Sequence, residues 1–129
     1  MKAHDFLLKD KNEKEYSLKD FNTDFTVLYF YPKDDTPGCT TEALEFTKDL
    51  EKFKKLNASI VGISGGNEET KTKFCDKHNL KVLLLSDPDF SVCKKYGVYG
   101  KKNFMGNEFM GIIRTTFILD KNKNIIKIY

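Results

Sequence analysis

The sequence predicts an α/β protein in which a mixed central sheet carries helices on both faces. Three runs rich in β-branched, aliphatic and aromatic residues have the continuous apolar character of strands buried on both faces, namely Thr26 to Tyr31, Ser59 to Ser64 and Val82 to Ser86. Each run is followed by a segment with helical signals, and this alternation makes the three strands parallel. Two later runs, Thr115 to Asp120 and Ile125 to Tyr129, flank a polar turn and predict a hairpin that adds an antiparallel edge.

Three helices are expected between these strands. Apolar residues recur every three or four positions from Ala43 to Phe53, which predicts a helix from about Thr40 to Leu56. A Gly-Gly pair breaks the chain before Asn67, whose side chain suits a helix cap, so the second helix is expected to reach about His78. The third helix is expected to run from Asp87 to about Tyr96.

The segments outside this core are expected to be short or irregular. Residues 5–9 and 14–16 flank a polar turn and predict a short hairpin, and the spacing of Ser17 and Asp20 suits the cap of a brief helical turn. Residues 97–111 show no clear period, so we expect the one long loop of the chain there, as a mobile segment or a border of the substrate site.

Length and composition indicate one domain, spanning residues 1–129. Hydrophobic residues are 40% and charged residues 32% of the chain, which is ordinary for a globular protein. The formal net charge is only +3, and lysines alternate with acids, so no nucleic-acid partner is expected. No apolar run approaches the roughly 20 residues that cross a membrane, and the first residues do not resemble a signal peptide. A cytoplasmic protein is therefore the expectation.

Three cysteines are spread along the chain at positions 39, 75 and 93. An odd, sparse set in a cytoplasmic protein argues against a structural disulfide framework and leaves catalytic use, redox use or burial. Cys75 and His78 have the spacing of a pair of metal ligands, but a zinc site needs a second close pair, which the chain lacks. No metal site is expected.

Cys39 has the most informative position of the three. It follows a buried strand and a Pro-Gly turn, at the start of a predicted helix. The first N–H groups of a helix have no intrahelical acceptor, and the helix dipole places about half a positive charge there, so a thiolate is favoured over a thiol. Because the thiolate is the nucleophilic form of cysteine, this position indicates sulfur redox chemistry.

Three other residues complete a candidate site around Cys39. Pro32 and Thr36 form with it the pattern P-x-x-x-T-x-x-C, in which the proline can shield the sulfur and the hydroxyl can bond a hydroperoxide. Arg114 lies just before the strand that begins at Thr115, where a fixed cation can favour the thiolate and polarise a substrate oxygen. These are the groups that attack of sulfur on an O–O bond requires.

The segment YFYPKDDTPGCTTEALEF resembles the active-site block of the peroxiredoxins, and the wider chain is most similar to their bacterioferritin-comigratory (PrxQ-like) subfamily. The likeness also includes SLKDF, VGIS, KFCDKHNL, LLSDPD, KKYGVYG and GIIRTTFILDKN. It implies a thioredoxin-like three-layer fold and reduction of hydrogen peroxide and organic hydroperoxides without a cofactor. In that case Cys39 is the peroxidatic cysteine, and Pro32, Thr36 and Arg114 complete its pocket.

The same resemblance bears on the second cysteine of the cycle. Many subfamily members carry a resolving cysteine five residues after the peroxidatic one, but this chain has Leu44 there. Others carry it on the following helix, where Cys75 lies, so an intramolecular disulfide reduced by thioredoxin or a similar dithiol is implied. Cys39 and Cys75 lie on different predicted helices, so the disulfide requires local unwinding around Cys39. Cys93 is interpreted as a core residue.

The resemblance also leaves questions open. Relatives continue into a C-terminal helix, which is missing from residues 1–129, so the monomer that the family implies and a dimer that covers the exposed sheet face are both open. The alternative functions are a one-cysteine peroxidase resolved by an external thiol, a disulfide reductase, which the missing C-x-x-C disfavours, and a non-enzymatic binding or holdase module.

Overall fold

The computed structural model describes residues 1–129 and contains nine strands and three α-helices. The strands are β1 (Leu7–Lys9), β2 (Glu15–Ser17), β3 (Phe25–Phe30), β4 (Ala58–Ser64), β5 (Leu83–Ser86), β6 (Tyr99–Phe104), β7 (Asn107–Ile112), β8 (Thr115–Leu119) and β9 (Ile125–Ile128). The helices are α1 (Pro37–Lys55), α2 (Glu68–His78) and α3 (Ser91–Lys95), and a 3₁₀ turn spans Leu18–Asp20.

Seven strands form the central sheet, in the order β2-β1-β5-β4-β3-β8-β9. The three inner strands β3, β4 and β5 are parallel, and β8 lies antiparallel to β3, with β9 antiparallel at the edge. At the other edge β1 pairs antiparallel with both β5 and β2. The mixed sheet and the antiparallel C-terminal hairpin expected from the sequence are confirmed.

Alternate residues of β3 enter two separate apolar clusters, one on each face of the sheet. Tyr29 belongs to the cluster beneath α1 and α2, which we call the α1/α2 face. Leu28 and Phe30 belong to the cluster on the opposite face, which includes residues of α3 and the 3₁₀ turn. Helices therefore cover both faces, as the sequence predicts. None of the three helices has the length and apolar composition of a membrane span.

Helix α1 begins three residues before the position that its periodicity indicates. Pro37 is its first residue, where a missing N–H costs nothing and the proline ring already has a helical φ. Thr36 is the N-terminal cap residue, with extended backbone at φ −92° and ψ 153°. As a result Cys39 lies inside the first turn of the helix, as its third residue.

The prediction of one long loop at residues 97–111 is wrong. Strands β6 and β7 form a two-stranded antiparallel hairpin there, separate from the central sheet. Met105 and Gly106 both have positive φ, at 51° and 83°, as the central residues of a tight hairpin turn require. The sequence concealed the hairpin because its strands are mostly exposed, so their apolar residues do not alternate with polar ones as in a half-buried strand.

Helix α3 is shorter than expected and starts at Ser91 instead of Asp87. Asp87 precedes it and is fully buried, and its carboxylate accepts hydrogen bonds from the backbone N–H groups of Val92 (3.3 Å) and Cys93 (2.8 Å). The acidic residue that suggested a helix start therefore closes a turn and caps the helix from a distance.

Gly62, in the middle of β4, is predicted to tolerate no larger side chain. An added Cβ would lie 2.6 Å from the Tyr29 ring and 2.7 Å from Leu84. We expect Gly62→Ala to lower the free energy of unfolding by about 1–3 kcal/mol, measured by urea denaturation. Gly100→Ala is the matched control, because its Cβ would meet only Ile113 at 3.4 Å. Equal stability of the two variants would contradict the close packing of β4.

Candidate active site

Cys39 is held at the N-terminal end of α1 with its side chain inside the protein. Only 1% of the residue is exposed. The first hydrogen bond of the helix runs from the Thr40 N–H to the Thr36 carbonyl at 2.8 Å, so the N–H of Cys39 is among those without an intrahelical acceptor. The sulfur therefore lies at the positive end of the helix dipole, in a place from which bulk water is excluded.

The Arg114 guanidinium bridges Cys39 and Glu42. Arg114 lies between β7 and β8, and its Nη2 donates to the Cys39 Sγ at 3.2 Å while Nη1 donates to Glu42 Oε1 at 2.6 Å. Glu42 is three residues beyond Cys39, so one turn of α1 presents both acceptors on the same side. Gly38 makes room for this contact, because a Cβ there would lie 3.2 Å from Nη2.

Cys39 and Glu42 both act on the charge of Arg114. Burial acts to lower the pKa of Arg114, but the hydrogen bonds and charges of Cys39 and Glu42 outweigh it, so the pKa lies above its ordinary value. Burial raises the pKa of Glu42, and the Arg114 charge opposes that rise. The guanidinium thus stays cationic, with one N–H aimed at the sulfur and another fixed by a carboxylate.

Thr36 and Pro32 lie in the loop between β3 and α1, without a hydrogen bond to the sulfur. The Thr36 hydroxyl donates to the Lys33 carbonyl at 3.0 Å, which leaves its oxygen free to accept a further hydrogen bond. Pro32 lines a cavity of about 290 Å³ between this loop and the Gly65-Gly66 turn, and Cys39 is not among the lining residues. Of the three predicted partners, Arg114 alone makes a hydrogen bond to the sulfur.

Cys75 and Cys93 lie in different environments, and all three cysteines are free thiols. Cys75, on α2, belongs to the same apolar cluster as Cys39 on the α1/α2 face, and burial raises its pKa. Cys93 lies on the opposite face among Tyr96 and Val98, where burial and then the Asp87 carboxylate raise its pKa far above the ordinary value. Cys93 is therefore held as an unreactive core thiol, as interpreted from the sequence.

The structure adds contacts that the sequence did not reveal. Glu42, in the first turns of α1, pairs with Arg114 at 2.6 Å and orients its guanidinium. Asp35, in the loop before α1, accepts hydrogen bonds from Lys77 at 2.9 Å and pairs with His78 Nε2 at 2.7 Å, near the end of α2. No local signal pairs these residues, because they are about 40 positions apart and meet only when α1 and α2 pack on one face.

Known proteins resemble the chain over nearly its whole length. Residues 1–128 match the model of the AhpC/TSA family. The peroxiredoxin Bcp of Bacillus subtilis is 44% identical over 126 residues, which are 98% of this chain and 80% of that protein. The putative peroxiredoxin bcp of Helicobacter pylori strain J99 is 48% identical over 118 residues, 92% of this chain and 78% of its own.

Solved structures agree with the sequence matches. The bacterioferritin comigratory protein of Xanthomonas campestris, studied for its alkyl peroxide reduction activity, superposes with a TM-score of 0.91 at 34% identity. The match covers 97% of this chain and 79% of that one. The expected thioredoxin-like fold is confirmed, and the chain belongs to the AhpC/TSA family as a peroxiredoxin of the Bcp type.

Proposed function

We propose that the chain is a thiol peroxidase in which Cys39 attacks hydrogen peroxide and organic hydroperoxides. One observation carries the assignment of the sulfur. Cys39 alone of the three cysteines receives a hydrogen bond from a cation, Arg114, at 3.2 Å, and it does so in the first turn of the 19-residue helix α1. Both features favour the thiolate, which is the form that attacks an O–O bond.

In the first step the Cys39 thiolate attacks one oxygen of the hydroperoxide. An S–O bond forms as the O–O bond breaks, so the sulfur is oxidised to a sulfenic acid and the second oxygen leaves as an alkoxide or hydroxide that takes up a proton. The sulfur supplies both electrons, and the step needs no cofactor. Arg114 is placed to stabilise negative charge as it moves from sulfur to oxygen, and Glu42 holds the guanidinium in that orientation.

Pro32 and Thr36 are assigned supporting roles in the same step. The Thr36 hydroxyl, with its own proton donated to Lys33, has an oxygen that can accept the O–H of a hydroperoxide. Pro32 stiffens the loop between β3 and α1 and limits the access of water. Neither role needs contact with the sulfur in the resting protein, since Thr36 acts on the substrate and Pro32 acts on the loop.

In the second step the Cys75 thiol condenses with the Cys39 sulfenic acid. A disulfide forms and one water is released, after which a dithiol such as that of thioredoxin reduces the disulfide by exchange. Burial raises the pKa of Cys75, so its sulfur is a thiol in the resting state and becomes a better nucleophile when exposed. The first turn of α1 must unwind for the two sulfurs to meet.

Mapping the oxidised thiols tests this cycle. After a stoichiometric amount of hydrogen peroxide and alkylation of the remaining thiols, mass spectrometry should find a Cys39–Cys75 bridge and an alkylated Cys93. Cys93→Ala is the control and should give the same bridge. Sulfenic or sulfinic acid on Cys39 with Cys75 alkylated would instead establish a one-cysteine peroxidase that needs an external thiol. An unmodified Cys39 would refute the peroxidase proposal.

A second test concerns the cation. Arg114→Met should lower the rate constant for the reaction of reduced enzyme with peroxide by about a hundredfold, because a donor aimed at the developing charge is lost. Glu42→Gln should cause a smaller loss, since the guanidinium remains but is held less firmly. The rates are measured by competition with a heme peroxidase. Lys101→Met, which removes an exposed positive charge from β6, is the control. An Arg114→Met rate within twofold of that control would exclude the assigned role.

A further inference from the structure

A fully buried lysine lies beneath the loop that precedes α1. Lys71, on α2, has no exposed surface, and its ammonium group donates to three acceptors: Gly65 O at 2.8 Å, Ser64 Oγ at 2.9 Å and Asp34 Oδ2 at 3.0 Å. Three N–H donors thus meet three oxygens, so the cation is satisfied inside the protein.

The partner carboxylate is equally constrained. Asp34 accepts from the Tyr31 hydroxyl through Oδ1 at 2.6 Å, and from Thr70 Oγ1 (2.9 Å) and Lys71 through Oδ2. Its side chain is 8% exposed. We use the name Asp34–Lys71 network for the set Tyr31, Asp34, Ser64, Thr70 and Lys71. It joins the end of β3, the loop before α1, the end of β4 and the first turns of α2.

The energy of a buried ion pair argues for a role other than stability. Desolvation of the two charges offsets most of their attraction, so such pairs contribute little net stability compared with apolar residues of similar shape. Burial indeed lowers the pKa of Lys71, against the opposing effect of Asp34. Because the pair adds little stability yet fixes five side chains in one arrangement, its main effect is on the geometry of the loop before α1.

The loop that this network anchors has a strained backbone. Asp35 has φ at 60°, in the left-handed region that non-glycine residues seldom adopt. Strained conformations of this kind persist only where the surroundings impose them. Asp34 lies directly before the strained residue and midway between Pro32 and Thr36. Its carboxylate is the buried anchor of this segment, whereas the pairs that Asp35 makes with Lys77 and His78 are exposed to solvent.

We infer that Asp34 and Lys71 are positioning residues that hold the loop between β3 and α1 in the geometry that peroxide attack requires. The inference rests on the proposed function. The network does not contact the sulfur, and its effect is to place Pro32 and Thr36 relative to the start of α1. Its loss should therefore impair the reaction with peroxide and spare the intrinsic reactivity of the Cys39 thiolate.

The double variant Asp34→Asn/Lys71→Met tests this, because it removes both charges without leaving either one buried alone. Two rates are measured on the reduced protein: oxidation by hydrogen peroxide, and alkylation of Cys39 by iodoacetamide followed by peptide mass spectrometry. We expect the peroxide rate to fall at least tenfold and the alkylation rate to change less than threefold. Lys73→Met is the matched control on α2, since Lys73 is exposed and pairs only with Glu69 at 3.2 Å.

The two rates separate the outcomes. A peroxide rate within twofold of the unaltered chain overturns the inference, and so does a parallel fall of both rates, which would indicate an effect on the thiolate or the fold. If the double variant does not fold, Tyr31→Phe removes only the hydroxyl bond to Asp34 and should lower the peroxide rate two- to fivefold at unchanged alkylation. No loss in Tyr31→Phe also overturns it. An unaltered chain that consumes no peroxide would instead refute the proposed function itself.

Discussion

The register between β3 and β8 determines whether an active site exists at all. Phe30, the last residue of β3, lies opposite Thr115, the first residue of β8. The loop that leads to Cys39 and the residue before β8, Arg114, therefore leave the sheet at the same point. A slip of one residue would move Arg114 by about 3.3 Å and turn its strand over, which would break a 3.2 Å contact.

That register depends on the core and not on the site. Leu28 of β3 lies opposite Phe117 of β8, and both belong to the cluster on the opposite face. A one-residue slip would turn Phe117 and Leu119 away from that face, so apolar burial opposes it and Arg114 keeps its position. The charged contact at the sulfur is in this sense a consequence of hydrophobic packing several residues away.

Three cysteines in one small domain show how far environment controls a thiol. A helix N-terminus and an arginine surround Cys39, apolar side chains bury Cys75, and a buried carboxylate lies beside Cys93. Cys39 has a cation against its sulfur, whereas burial raises the pKa of Cys75, and burial and a carboxylate raise that of Cys93. Specific reaction at one sulfur therefore needs no difference in residue type, only the placement of a few charges by the fold.

The sheet, the helices and the candidate role of Cys39 could be predicted from the sequence because each has a local signal. The buried strands are continuous apolar runs, and the motif around Cys39 lies within eight residues. Prediction from the sequence failed where the determinants are distant or exposed, namely at the exposed hairpin of β6 and β7, the Glu42–Arg114 pair, and Lys71 beneath the loop. A lysine with charged neighbours in the sequence of α2 is typical of a solvated face, and only the folded chain shows that Lys71 is buried against Ser64 and Asp34.

The anchors of the loop bear on how a buried sulfur could reach Cys75. Asp34 and Asp35 tie the chain before Thr36 to α2, whereas the side chain that reaches the first turn of α1 from across the sheet is that of Arg114. Under the proposed function, oxidation of Cys39 replaces a thiolate with a sulfenic acid, so its contact with this guanidinium weakens at the step where the first turn of α1 has to unwind. In the proposed cycle the loop thus stays attached to α2 while the turn that carries Cys39 opens. The ion pairs before Cys39 then act as a fixed pivot, and they keep the oxidised sulfur close to the helix that carries Cys75.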